Sequence, residues 1–342
     1  MNIFCDFHHG GLYESLRLLF EERLGHQLFR PIGEEWFLED YWKLAEPYSG
    51  SLETVRQFLS IEANGFSSEN LNGINEYKDG IYYIKDPIHN TSYKAITLEK
   101  FREMDIDIVI SSYQPHDITF AKLIKEYKPK AKHISQMGNI FQTTEVNNVL
   151  CSTKAYPIPA GKNVVFYHQE FDLNIFKPQS ARPSNLITSF VNCLPKPELF
   201  DQYKSVLSEF DFKSYGISCR DGTINTLEEI GDIMKNSMFG WHIKPDGDGF
   251  GHIIHNWYAC GRPVITNFSD YQGKLAGELL TDGITALNLE GHTFDENVER
   301  IKYFSQPDQY LYMSVNARYR FEQTVDFDKE AQDIKSFLTR LI

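Results

Sequence analysis

The chain has 342 residues, of which 42% are hydrophobic and 14% aromatic, so it has ample material for buried cores and exceeds the usual length of one domain. Lys and Arg total 34 against 47 Asp and Glu, and the formal net charge of −13 disfavours binding to bulk nucleic acid or to anionic membranes. Charged and apolar residues alternate along the chain, which excludes long segments of disordered composition. We therefore expect a globular protein of two domains.

The sequence lacks the patterns of a zinc site, of a secretory signal and of a membrane span. The five cysteines are far apart and lack the CxxC or His-paired spacing of zinc sites, so we expect reduced thiols and no metal. The first residues, MNIFCDFHHGG, lack the basic and apolar regions of a secretory signal, and no apolar run approaches the ~20 residues of a membrane span. These patterns predict a cytoplasmic protein that does not cross a membrane.

The first half of the chain alternates short apolar runs with leucines and other apolar residues at helical spacing. Its first unit is an apolar run, the turn His8-His9-Gly10-Gly11, and a helix, which is a βα arrangement. The predicted strands are 2–7, 27–29, 81–84, 106–111, 132–135, 149–152 and 164–167. The predicted helices are 12–24, 52–61 and 118–127.

The second half repeats this alternation after a segment interrupted by Pro178, where we place the domain junction. The predicted strands are 185–190, 213–217, 237–243 and 263–266, and the predicted helices are 197–210, 226–235, 251–259 and 327–341. The pattern predicts an N-terminal domain (1–170), a C-terminal domain (171–325) and a helix (326–342) that packs back on the first domain. Two doubly wound parallel sheets are expected, with ligands at the carboxyl ends of their strands and an active site in the cleft between the domains.

The most informative segment runs from Asp248 to Ile265. It contains Asp-Gly-Phe-Gly, a predicted helix that ends in Ala-Cys-Gly, and then Arg-Pro-Val-Ile. Glycines allow backbone amides to approach a ligand, and the amino terminus of the following helix favours an anion such as phosphate. The segment therefore predicts a phosphate site, and its candidate binding residues are Gly249, Phe250, Gly251 and His252.

The same segment resembles a signature of the retaining GT-B glycosyltransferases of the large bacterial family four. In that family an acidic residue, Gly-Phe-Gly, a helix ending in Ala-Cys-Gly, one variable residue and Pro-Val-Ile follow in this order. Asp172-Leu173-Asn174-Ile175-Phe176-Lys177-Pro178 is similar to the linker between that family's domains, and Gly10-Gly11 to its first glycine loop. The resemblance implies a GT-B fold, in which two Rossmann-like domains face a central cleft.

The resemblance also implies an activity. Such enzymes move a sugar from a nucleotide-diphosphate sugar, with UDP or GDP as the nucleotide, to a glycan, lipid or small-molecule acceptor with retention of configuration. No cofactor beyond the nucleotide sugar is implied. The departing diphosphate is stabilised by positive charge rather than by a protein nucleophile.

Individual site residues follow from the family's motif. Asp248 takes the position that reaches the donor sugar, and Asn256 the position that binds the nucleotide ribose, where the family has a second acidic residue. Lys196 takes the position of a diphosphate-binding lysine. The arginine that usually precedes that lysine is missing here, so Arg220 or Lys244 would supply the second positive charge.

The first domain offers weaker candidates. Gln136 occupies the position of a family histidine near the sugar, and an amide can hold a hydroxyl but cannot carry a proton. His116 or His8 would then act as the acid or base. Gly10 and Gly11 belong either to a structural turn or to a contact with the acceptor or a phosphate.

Two other functions remain open at this point. Some GT-B enzymes transfer sugars to modified nucleic-acid bases, although the acidic composition disfavours this. Three departures from the family, namely Asn256, the missing arginine and Gln136, are also compatible with a non-catalytic module that binds a nucleotide or a glycan.

Overall fold

A computed structural model describes residues 1–6, 10–31, 74–86, 88–112, 114–138, 143–154, 160–179, 182–191, 196–245 and 247–342. The predicted helix at 52–61 and the candidate His8 lie outside these residues. The chain forms two compact units. Unit 1 comprises Met1–Glu170 and Phe327–Ile342, and unit 2 comprises Phe171–Asp326.

The described part of unit 1 contains one sheet of nine strands. They are β1 (Asn2–Cys5), β2 (Gln27–Pro31), β3 (Ile74–Lys78), β4 (Ile81–Asp86), β5 (Thr91–Ile96), β6 (Ile108–Ser111), β7 (Lys132–Met137), β8 (Asn148–Cys151) and β9 (Asn163–Phe166). Their order is β3-β4-β5-β2-β1-β6-β7-β8-β9. Its first helices are α1 (Gly10–Arg17), which continues as a π-helical turn at Leu18–Arg23, α2 (Leu98–Glu103) and α3 (Gln114–Tyr127).

In the part of the sheet with the order β5-β2-β1-β6-β7-β8-β9, all neighbouring strands are parallel, as the sequence pattern predicts. The strand β4 is antiparallel to both β3 and β5. The connection between β3 and β4 is the pair Asp79-Gly80, and both residues have positive φ, of +54° and +81°. Such a two-residue turn can only join antiparallel strands. This antiparallel addition was not predicted from the sequence.

The described residues of unit 2 form a sheet of five strands in which all pairs are parallel. Its strands are β10 (Leu186–Phe190), β11 (Asp211–Tyr215), β12 (Phe239–Trp241), β13 (Val264–Thr266) and β14 (Ala286–Asn288), in the order β11-β10-β12-β13-β14. Its helices are α4 (Pro197–Val206), α5 (Leu227–Asn236), α6 (His252–Ala259), α7 (Phe294–Phe304) and α8 (Pro307–Thr324). The last helix of the chain, α9 (Phe327–Leu341), belongs to unit 1.

Both faces of the unit 1 sheet are covered, which explains why its central strands are apolar throughout. Ile3 of β1 and Ile108 of β6 pack in one core with α1 and α9, whereas the adjacent residues Phe4 and Val109 pack in a second core with α2 and α3. Neighbouring residues of a strand point to opposite faces, so each strand contributes to both cores. The predicted doubly wound α/β fold class is confirmed.

Among the elements of unit 2 whose bounds differ from the sequence pattern, two differ because of identified backbone hydrogen bonds. The helix predicted over 197–210 ends at Val206, because the Phe210 amide bonds the Leu207 carbonyl in a turn. The strand predicted over 213–217 spans Asp211–Tyr215, because the Gly216 amide bonds the Gly222 carbonyl and closes a loop.

Candidate functional site

The strand order of unit 2 places a candidate site at the carboxyl ends of β10 and β12. The chain runs from β10 to β11 on one side and then to β12 on the other side of β10. At such a reversal the loops after the two central strands leave in opposite directions and open a crevice for a ligand. Lys196 follows β10 in the sequence, and the predicted phosphate segment follows β12.

The glycine turn, Gly247–Gly251, leads directly into α6. Gly247 and Gly251 have φ values of +62° and +88°, which side chains disfavour. A Cβ on Gly247 would lie 2.2 Å from the Asp270 carbonyl oxygen, and one on Gly251 would lie 2.6 Å from the Ala276 Cβ. The turn therefore packs directly on residues 270–276. Gly251 is the N-cap of α6 and provides no side-chain cap, and the first amides of a helix have no intrahelical acceptor.

Asp248 lies inside the glycine turn and is held by two basic side chains. His242 Nε2 lies 2.9 Å from Asp248 Oδ2, and the Lys244 ammonium pairs with the other carboxylate oxygen. Burial raises the pKa of Asp248, but the hydrogen bond and charge of His242 together with the Lys244 ammonium outweigh burial and hold that pKa well below its usual value. The carboxylate is thus ionised and fixed in orientation.

The side chains at the start of α6 form a compact aromatic group. Phe250 stacks on His255 with ring centroids 4.2 Å apart, and it meets His252 edge-to-face at 4.9 Å. His255 Nδ1 donates to the Gly251 carbonyl oxygen at 2.9 Å, which fixes that ring. These contacts order the turn and the first residues of the helix together.

Asn256 lies one helical turn after His252, on the same face of α6. It is 6% exposed, and its Oδ1 has no hydrogen-bond partner within the described ranges. A buried acceptor without a partner costs about 1–3 kcal/mol, so it calls for a donor from a ligand or water.

The three predicted cations of unit 2 have different surroundings. Lys196 is exposed at the N-cap of α4 in the left-handed region, with φ of +51°, which is uncommon for a residue with a side chain. Lys244 is paired with Asp248, and Arg220 donates to Asp201 of α4 at 2.8 Å. Two of the three positive charges are therefore balanced by carboxylates of this chain.

The candidates of unit 1 lie at the carboxyl ends of its central strands. Gly10 and Gly11 are the first residues of α1, which follows β1. His116 of α3 is buried, and its Nδ1 lies 2.7 Å from Asp6 Oδ2. Burial raises the pKa of Asp6, but the hydrogen bond and charge of His116 and the hydrogen bonds from Ser112 lower it below its usual value.

Gln136 of β7 is buried within a polar network of unit 1. Its Nε2 donates to Ser152 Oγ at 3.2 Å and to the Tyr167 hydroxyl at 3.1 Å. The amide nitrogen is thus occupied by contacts inside the sheet.

Sequence reasoning did not select His242, Lys274 or Asp6. His242 and Asp6 each contact a predicted residue, and Lys274 lies against Gly247, next to the predicted Asp248. Lys274 is 8% exposed, and its Nζ lies 2.8 Å from the position of a Cβ on Gly247. His242 and Asp6 each lie at the carboxyl end of a strand, a position where a lone polar residue could have been singled out. Lys274 has no local signal, because it reaches the turn from a loop beyond the next strand.

Comparison with known proteins identifies the architecture. No protein-family model matches the sequence, and no curated protein matches it at a significant level. HepE from Anabaena, solved in complex with UDP and glucose, superposes with a TM-score of 0.64 at 11% identity over 99% of each chain. A glycosyltransferase from Rickettsia africae superposes with a TM-score of 0.63 at 13% identity over 99% of this chain and 98% of that chain. The chain has the GT-B fold.

MurG from Acinetobacter baumannii superposes less closely, with a TM-score of 0.51 at 10% identity over 99% of each chain. The superpositions thus cover nearly all of the chain despite the low identities. Within the described ranges, none of the helices combines the length and the apolarity needed to cross a bilayer.

Replacing Gly251 by alanine tests the packing of the glycine turn. Gly291 is the matched control, since its φ is +80° and a Cβ there would meet nothing within 4 Å. We expect Gly291→Ala to lower the free energy of unfolding by about 1–2 kcal/mol, the cost of the left-handed conformation. Gly251→Ala should cost at least about 1 kcal/mol more, because its Cβ also meets Ala276. Chemical denaturation measures both variants, and equal losses would contradict the close packing described above.

Proposed function

We propose that this protein is a glycosyltransferase that moves a hexose from a UDP-hexose to a hydroxyl of a glycan, lipid or small molecule, with retention of configuration. The observation that carries the proposal is the glycine turn at the carboxyl ends of β10 and β12, where the strand order of unit 2 reverses, in a chain with the GT-B fold. Structures of HepE with UDP and with UDP-glucose support the choice of nucleotide and sugar.

In this proposal the diphosphate binds at the amino terminus of α6. The dipole of a helix contributes about 0.3–1 kcal/mol, whereas each charge-assisted hydrogen bond contributes about 1.5–3 kcal/mol. The amides of Gly249, Gly251 and His252 are therefore the main proposed contacts, with the Phe250 ring holding His252 in place. Lys196 lies at the end of the loop that follows β10, and its exposed side chain adds a positive charge that can reach the ligand.

Asp248 binds the donor sugar in this scheme. An ionised carboxylate has about four acceptor positions, and His242 and Lys244 use one on each oxygen. The remaining positions accept hydroxyl groups of the hexose. Because both oxygens are held, little conformational entropy is lost when the sugar binds.

Asn256 is the proposed ribose contact. Its buried Oδ1 accepts a hydrogen bond from one ribose hydroxyl, which satisfies an acceptor that is otherwise without a partner among the described residues. An amide accepts at its oxygen and donates from its nitrogen, so it recognises two neighbouring hydroxyls without adding negative charge.

The proposed reaction breaks the bond between the sugar anomeric carbon and the diphosphate oxygen, and it forms a bond from the same carbon to the acceptor oxygen. The acceptor attacks from the face that the diphosphate leaves, and its proton passes to a base. Stabilisation of the developing charge by preorganised amides and cations lowers the barrier. In unit 1, the imidazole of His116, held by Asp6, is the proposed acid–base group for the acceptor.

A donor panel tests the proposed function. We expect UDP and UDP-hexoses to raise the melting temperature, because binding to the folded state alone adds about 2.7 kcal/mol of stability at a hundredfold excess over Kd. UDP-glucose should also be slowly hydrolysed or transferred, with release of UDP measured by chromatography. If no nucleotide or nucleotide sugar changes the melting temperature, the proposal is wrong. Binding of UDP with an intact donor after long incubation would instead indicate a non-catalytic module.

Asp248→Asn tests the role of the carboxylate. We expect turnover to fall roughly 10²-fold, the usual effect of losing one group that stabilises a transition state. The folded-state pKa of Asp248 lies below the ordinary pKa of an aspartate, so the carboxylate is ionised at every pH above that ordinary pKa. The loss of turnover should therefore persist at about pH 5. Asp211→Asn is the control, because that carboxylate is exposed at the start of β11. Turnover of Asp248→Asn equal to that of Asp211→Asn would exclude the proposed sugar contact.

A further inference from the structure

His242 is a buried residue that connects the glycine turn to the sheet of unit 2. It directly follows β12, and its amide donates to the Ile265 carbonyl oxygen of β13 at 3.0 Å. Its own carbonyl oxygen accepts a hydrogen bond from Thr266 Oγ1 at 2.6 Å. The backbone of His242 is therefore fixed to the neighbouring strand, independently of the contacts that its side chain makes.

The contact of the imidazole with Asp248 is shielded from water. His242 is only 1% exposed, and its Nε2 lies 2.9 Å from Asp248 Oδ2. Its Nδ1 is buried and has no hydrogen-bond partner within the described ranges, so Nε2 is the atom through which the ring bonds there. A buried hydrogen bond to an ionised carboxylate is stronger than one between neutral groups in water.

Lys244 holds the same carboxylate in a more exposed position. Its side chain is 43% exposed, whereas that of His242 is 1% exposed. Exposed ion pairs are screened by water and salt and contribute little, and a lysine side chain has many rotamers. The orientation of Asp248 therefore depends mainly on His242.

The ionisation of Asp248 depends on the same contact. Burial raises the pKa of Asp248, and the hydrogen bond and charge of His242, followed by the charge of Lys244, lower that pKa below its usual value. Three other titratable groups lie near the turn, on the loop that follows β13: Asp270, Tyr271 and Lys274. Without His242, the effect of burial would be opposed mainly by the exposed Lys244, and the pKa of Asp248 would rise.

We propose that His242 is the positioning residue of the donor site, and that it holds the Asp248 carboxylate in the orientation and the ionised state needed to accept hydroxyl groups of the sugar. This inference rests on the proposed function and adds to it a residue that does not itself touch the substrate. Loss of His242 impairs the use of the sugar rather than the binding of the nucleotide, and it does so increasingly as the pH falls.

Three substitutions separate the hydrogen bond from packing. His242→Leu removes the donor and keeps an apolar side chain, whereas His242→Gln retains an N–H donor at about the distance of Nε2 from the backbone. His242→Asn keeps the polarity, but its shorter side chain does not reach Asp248. His292→Leu is the matched control, because that histidine is exposed before α7 and lies 3.8 Å from the Asp282 carboxylate.

The measurements are kcat/KM for UDP-glucose between about pH 4.5 and pH 8, the affinity for UDP by calorimetry, and the melting temperature of each variant. We expect His242→Leu and His242→Asn to lower kcat/KM about 10-fold near neutral pH, because a catalytic group that is out of place loses at least this much. The loss should grow as the pH falls through the raised pKa of Asp248, since a protonated carboxyl accepts fewer hydrogen bonds from the sugar. The affinity for UDP should stay unchanged.

His242→Gln should retain most of the turnover and the pH profile of the unmodified protein, and His292→Leu should match that protein at every pH. If His242→Leu does not fold, as its melting curve would show, the comparison of His242→Asn with His242→Gln decides the question by the same two criteria.

The inference and the proposed function fail in distinguishable ways. If the unmodified protein turns over UDP-glucose and the Leu and Asn variants keep its turnover and pH profile, His242 has no positioning role and the proposed function stands. A loss that is equal at every pH and is not restored by glutamine would assign His242 to the fold alone and would also overturn the inference. If the unmodified protein neither binds UDP nor turns over UDP-glucose, the proposed function is wrong, and the role of His242 with it.

Discussion

The close packing of the glycine turn on residues 270–276 is the constraint on which the candidate site depends. Gly247 and Gly251 both adopt left-handed conformations, and both would place a Cβ within 3 Å of that segment. This packing accompanies the reversal of the chain between Trp241, the last residue of β12, and His252, the first residue of α6. The same geometry directs the first amides of α6 toward the carboxyl edge of the sheet, where the strand order creates a crevice. Backbone conformation, helix direction and sheet topology therefore converge at one place in unit 2.

The charged groups at this turn include the carboxylate of Asp248 and the ammonium of Lys274. Asp248 is fixed by His242 and Lys244, so its carboxylate stays ionised and fixed in orientation rather than titrating near neutral pH. The buried Lys274 lies against Gly247. A net charge of −13 repels polyanions at long range, whereas the proposed anion site at the turn is local. Asn256 lies on α6, and its Oδ1, which has no hydrogen-bond partner among the described residues, is the proposed contact of the donor ribose.

The fold class was predictable because strands of parallel sheets are buried on both faces and appear as apolar runs between helical patterns. The helix α8 was missed because Leu311, Tyr312 and Val315 are exposed and obscure the periodicity of its buried face. The turn and α6 could be proposed as a site because their residues are contiguous from 247 to 259. Pairings between distant residues could not be predicted: Lys274 lies 27 positions from Gly247, His116 lies 110 positions from Asp6, and the bond between Arg220 and Asp201 has no local pattern. The roles of the individual site residues stay predictions.

Hydrogen exchange at the turn is the most direct test of a diphosphate bound by backbone amides. Exchange measured by mass spectrometry or NMR, with and without UDP, reports on the amides from Gly249 to Ile253 separately from the rest of unit 2. The account predicts that UDP slows exchange at these amides, that UMP does so less, and that amides of α7 are unaffected. Exchange that remains unchanged at the turn in the presence of saturating UDP, with protection elsewhere, would place the nucleotide at another site and contradict the central claim.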